Sequence, residues 1–69
     1  MKLSARNQLA ARVTGTTEGP ATTIVALDVG GQRLVASITT EAAQELGLAE
    51  GSEVVAIVKA SDIILATAD

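Results

Sequence analysis

The chain has no cysteine, no histidine, no phenylalanine, tyrosine or tryptophan, and only one proline, Pro20. Without cysteine or histidine it has neither a disulfide nor the common ligands of a structural metal, the two usual supports of a small domain. The same two absences remove the commonest general base and the thiol nucleophile, so an enzyme is not expected. Without aromatic rings there is no platform on which bases of a single-stranded nucleic acid could stack. Positive charge is also scarce: 5 Lys and Arg against 8 Asp and Glu give a formal net charge of -3. A nucleic acid or an anionic membrane attracts a basic surface, so neither is an expected partner. No stretch approaches the roughly 20 apolar residues of a membrane-spanning helix. The mixed polar segment after Lys2, with Arg6 and Arg12, is unlike a signal peptide, so a cytoplasmic location is expected.

What the chain does have is aliphatic. Hydrophobic residues make up 48% of its 69 positions, all of them Ala, Val, Leu, Ile or Met. A chain of this length forms one domain, here residues 1–69, and buries only about 60% of the surface its unfolded form exposes. With no disulfide or metal available, oligomerisation is the remaining support.

Hydrophobic periodicity predicts an all-β protein with one short helix. The first strand covers about 3–16 and is long enough to need a bend or bulge. After the Thr16-Thr17-Glu18-Gly19-Pro20 turn, the second strand runs over 21–29, with Val25, Leu27 and Val29 on one face and Ile24, Ala26 and Asp28 on the other. Gly30-Gly31 suits a two-residue hairpin whose central positions both take positive φ. A third strand follows over 33–39. Thr40 to Gly47 carries the marks of a two-turn helix: a hydroxyl at the start, Glu41 in the first turn and a glycine at the end. Strands over 53–59 and 63–68 complete the order. Both of these are apolar on two faces, which calls for a closed barrel against a partner subunit or a sheet shared between chains. The expected architecture is therefore a five-stranded barrel of the oligonucleotide-binding type, assembled through apolar strand faces.

The chemistry offered by this frame is donor chemistry. Glu18, Asp28, Glu41, Glu45, Glu50, Glu53, Asp62 and Asp69 are scattered and read as surface charge, without the compact spacing of a hard-cation site. Gly30-Gly31 lacks the surrounding pattern of a phosphate loop. Ser4 and Arg6 lie two apart, hence on one side of a regular strand, with Asn7 beside them. Lys59 ends the fourth strand and Ser61 lies in the following turn. Ser37 shares a strand face with Thr39. Guanidinium, ammonium, hydroxyl and amide groups together suit a compact ligand rich in acceptors.

The opening Lys2-Leu3-Ser4-Ala5-Arg6-Asn7-Gln8-Leu9, the central Ala36-Ser37-Ile38-Thr39 and the late Val58-Lys59-Ala60-Ser61-Asp62-Ile63 resemble the molybdenum-pterin-binding protein family, also called molbindins or Mop domains. The resemblance extends over nearly the whole chain and is to the free-standing, single-copy form. It implies reversible binding, storage and buffering of molybdate, or of tungstate as an alternative ligand, for molybdenum homeostasis. It also implies a homo-oligomer, a hexamer built as a trimer of dimers, with oxyanions in pockets between subunits. Carried over residue by residue, Ser4 and Arg6 approach the anion from one subunit, and Ser37, Lys59, Ala60 and Ser61 from its neighbour. Asn7 either touches the anion or supports the bent strand. Gly19 is the candidate for a second class of pocket. With no aromatic side chain to stack on a pterin, the free oxyanion is the expected ligand. A ligand-free structural or regulatory oligomer and a nucleic-acid-binding barrel are the alternative readings.

Overall fold

The alternating aliphatic segments pair as four strands in a computed structural model that describes residues 2–68. In chain order these are β1 (Asn7–Glu18), β2 (Thr22–Val29), β3 (Gln32–Thr39), helix α1 (Thr40–Glu45), β4 (Glu53–Val58) and a 3-10 turn (Ala60–Asp62). Met1 and Asp69, the latter read as a surface carboxylate, lie outside the described residues. The sheet is antiparallel throughout, with spatial order β3, β2, β1, β4.

Alternation sets the faces. Ala11 and Val13 of β1 and Thr23, Val25 and Leu27 of β2 point to one side and are buried, while Arg12, Ile24 and Asp28 point to the other and are exposed. The irregularity expected in the long first strand falls between Val13 and Gly15, where the β1–β2 register shifts. A bulge there bends β1 and increases its twist. Both backbone groups of Val13 are nevertheless satisfied, by Ser52 O at 2.9 Å and Gly51 N at 2.8 Å from the turn before β4. The β2–β3 hairpin turns at Gly30 and Gly31, with φ of 57° and 89°, which L side chains rarely adopt.

The helix starts one residue earlier than its first hydroxyl suggested. Thr39, not Thr40, is the N-cap, accepting from Ala42 N at 3.1 Å. Thr40 is buried instead, and its hydroxyl donates to Gly19 O at 2.7 Å. Since a hydroxyl has one proton, Thr23, whose Oγ1 lies 2.9 Å away, must be the donor to Thr40. This chain of bonds ties the β1–β2 turn to the helix start. Gly19 is held tightly in that turn: its N–H donates to Thr22 O at 2.9 Å, and a Cβ would sit 2.8 Å from that carbonyl. Gly19→Ala is therefore expected to destabilise the fold by about 1–3 kcal/mol through overpacking, read as a lowered unfolding midpoint in urea. An unchanged midpoint would show that the turn opens freely.

The barrel expectation is corrected. The sheet has four strands, not five, and does not close. Residues 63–68 form no strand, since after the 3-10 turn they join neither edge of the sheet, and a strand exists only where an edge receives it. Ile63, Ile64 and Leu65 are 48%, 93% and 88% exposed. The inner face stays open as an apolar cavity of about 410 Å³ bordered by Leu34, Ile38, Leu48, Val54, Ala56 and Val58. Only Ala11, Val13, Val25, Leu27 and Ala43 are buried hydrophobic residues among those described. The consequence is excess surface. The chain exposes 5403 Å² for 6.9 kDa, against about 4,000 Å² for a compact monomer of that mass. Its radius of gyration, 13.0 Å, exceeds the roughly 11 Å expected for its length.

Candidate functional site

The register of β1 against β4 brings the two ends of the donor pattern together. Asn7 is the last β1 residue in that ladder and pairs with Val58. The pair is clamped by a side chain: Asn7 Nδ2 donates to Val58 O at 3.1 Å, and Asn7 is half-buried. One residue beyond it on each chain lie Arg6 and Lys59, and three beyond lie Ser4 and Ser61. All four are exposed, with Ser4 at a bend.

The turn after Lys59 adds backbone donors. Its first internal bond runs from Asp62 N to Lys59 O at 2.9 Å, and the next from Ile63 N to Ala60 O at 3.4 Å. In a 3-10 turn the N–H groups before the first bonded donor have no partner in the turn itself. Those groups belong to Ala60 and Ser61, on the side from which Lys59 enters.

Two cations flank the end of the ladder: Arg6 and Lys59 each lie one residue past the Asn7–Val58 pair. Among the described residues no group of three or more Asp, Glu, His or Cys could hold a metal cation. Cations gathered at one end favour an anion held by charge-assisted hydrogen bonds.

Ser37 is elsewhere. It lies on β3 and pairs with Ile24 of β2, which pairs with Thr17 near the far end of β1. Thr17 is ten residues beyond Asn7, a separation of about 30 Å along an extended strand. One chain therefore assembles Ser4, Arg6, Asn7, Lys59, Ala60 and Ser61 at one end and leaves Ser37 at the other. Gly19 is also far from this end, and its N–H and C=O are both engaged within the fold.

The Asn7 clamp is only half visible in the sequence, since the partner carbonyl is fixed by strand register. The Thr23–Thr40–Gly19 chain is less visible still. Its only sequence signal is a threonine at each of two element starts.

Residues 3–65 match the TOBE domain. Molybdenum-pterin-binding protein 2 of Clostridium pasteurianum is 39% identical over 66 residues, covering 94% of this chain and 97% of that protein. The chain belongs to the molybdenum-pterin-binding protein family. A molybdate-binding protein from Sporomusa ovata has the same fold, with a TM-score of 0.92, 36% identity and coverage of 97% of this chain and 100% of that one. ModG, described as a cytoplasmic molybdate-binding protein and solved with molybdate bound, superposes with a TM-score of 0.84 at 46% identity, covering 87% of this chain and 43% of ModG. The molbindin resemblance noted in the opening and late motifs thus holds over the full fold. In this molbindin those two motifs meet at the Asn7–Val58 end of the sheet.

Proposed function

We propose that this protein reversibly binds molybdate, and tungstate in the same way, as a cytoplasmic store and buffer of the oxyanion. The observation that carries the reading is the clamped Asn7–Val58 pair, which brings the segments of Arg6 and Lys59, each one residue past it, to the same end of the sheet. Ser4, Ser61 and the amides of Ala60 and Ser61 complete a set of donors around them. Molybdate is a tetrahedral dianion with oxygens on every side and no proton to donate, which suits such a set. The protein makes or breaks no covalent bond in this account. Asn7 fixes the ladder end with one amide proton on Val58 O and keeps a second N–H free of that bond.

Enclosing the ion takes more than one copy. All of the donor side chains except Asn7 are exposed in a single chain, and a neighbour's strand would both dehydrate them and strengthen each bond by lowering the local dielectric. Ser37 enters the pocket from that neighbour, because its own chain holds it about 30 Å away along β1. The excess exposed surface and the open inner face support assembly, and the reading takes the oligomer to be a hexamer made as a trimer of dimers. A second class of pocket near the Gly19 turn would draw on groups other than Gly19 itself, whose backbone is in use.

Selection against sulfate comes from size, because the two ions share shape and charge. A cavity fixed by strand packing leaves the smaller ion with stretched bonds, whereas tungstate is nearly the size of molybdate. Titration of the intact protein followed by native mass spectrometry tests this. The expected result is an oligomer that gains discrete molybdate and tungstate masses and little sulfate. A stable oligomer that takes up no oxyanion would favour a purely structural or regulatory assembly.

A further inference from the structure

The outward face of the sheet carries a second pattern, unconnected with the donor end. Register places Glu53 beside Arg12, Arg12 beside Asp28, and Asp28 beside Arg33. Because the strands lie in the order β4, β1, β2, β3, these four residues form one transverse row crossing the whole sheet, and all four are exposed. Charge along the row alternates as minus, plus, minus, plus, at steps of about 4.8 Å.

We infer that this outward face packs against the same face of a second copy, about a two-fold axis parallel to the strands and lying between β1 and β2. Such an axis reverses the row. Glu53 of one copy then faces Arg33 of the other, and Arg12 faces Asp28, so all four positions meet the opposite charge. An axis along the row would instead set each residue against its own like charge. The alternation thus selects one orientation as well as one partner.

The neighbouring residues fit the same packing. Beside the central pairs the outward strand positions include Ala10, Gly15 and Ala26, small enough to let two sheets approach. Flanking them, Val35 and Val55 are 49% and 55% exposed and give the contact an apolar component. Two sheets that pack face to face stand about 10 Å apart, within reach of Arg and Asp side chains meeting in the middle. The inference shares with the proposed function only the premise that the chain assembles. Its residues are separate from the donor end.

A mixing experiment tests it on the full-length chain. Arg12→Glu sets Glu against Asp28 of the partner, and Asp28→Arg sets Arg against Arg12, so each variant alone should associate at least roughly tenfold more weakly. Mixed in equal amounts, the two should recover assembly as a one-to-one hetero-complex by native mass spectrometry. Cross-strand pairing within one sheet cannot produce that rescue, because each variant still carries its own like-charged neighbours. The edge variants Glu53→Lys and Arg33→Glu give the same readout should the central ones fold poorly. Full assembly by each variant alone, or a mixture that recovers no hetero-complex, would overturn the inference. Oxyanion binding measured on the same parent protein stands or falls separately, since the donor end is untouched.

Discussion

An Arg6→Ala, Lys59→Ala double variant binds molybdate roughly a hundredfold to ten-thousandfold more weakly than the parent protein. Each substitution removes hydrogen bonds to a charged group, which contribute about 1.5–3 kcal/mol apiece, and every 1.4 kcal/mol is about a tenfold change in affinity. The loss is specific to binding because both side chains are exposed and lie outside the β1–β4 ladder. Neither residue belongs to a strand, so the unliganded sheet should keep its stability. An unchanged stability separates a binding role from a structural one. Calorimetric titration in sulfate-free buffer measures the first effect and urea unfolding without oxyanion the second. Gln44→Glu, which changes net charge by the same amount at an exposed position of α1, serves as the control and should leave affinity within about twofold, since solution salt screens distant charge over about 8–10 Å. Equal losses from Gln44→Glu and Arg6→Ala would mean that net charge, and not the ladder end, governs uptake.

The second large effect concerns assembly. Ile64→Asp combined with Leu65→Asp converts the oligomer largely to smaller species while leaving the four-stranded sheet folded. In a single chain these side chains are 93% and 88% exposed and follow β4 as a continuous apolar run from Ile63. Burying an Ile or Leu side chain contributes about 1.5–3 kcal/mol, so two such residues covered on a neighbouring copy account for a large share of association. Charging them replaces that gain with the desolvation of two carboxylates. Their own sheet gains almost nothing from them, because neither belongs to a strand. Sedimentation would show the fall in mass and far-ultraviolet circular dichroism the retained sheet. A variant that sediments like the parent would place the covered surface elsewhere. Molybdate uptake should fall with assembly, because the proposed pocket is enclosed only by a second copy.

Much of the fold was legible in the residues. The β2–β3 hairpin, its Gly30-Gly31 turn and the two-faced pattern of β2 follow from alternation and from the need for positive φ, both local properties. The helix was legible for the same reason, though its cap fell to Thr39 while Thr40 turned inward, a choice made by contacts with Thr23 and Gly19 that lie some 20 residues away. The fifth strand failed for a different reason. Residues 63–68 have the composition of a strand, but a strand exists only if an edge receives it, and these residues join neither edge of the sheet.

The donor set divides along the same line. Sequence alone determined which groups are present, hydroxyls, a guanidinium, an ammonium and no aromatic ring, cysteine or histidine, and its opening and late motifs carried the family resemblance that points to an oxyanion. It also determined that so small an aliphatic chain needs neighbours. Tertiary structure decided that the Asn7 and Val58 ends of β1 and β4 meet, that the Asn7 side chain clamps that pair, that Ser37 lies at the other end of the sheet, and that Glu53, Arg12, Asp28 and Arg33 stand in one row. The physical reason is that residue identity fixes what a side chain can donate, whereas strand register, which one residue of slip would undo, fixes which distant side chains stand opposite it.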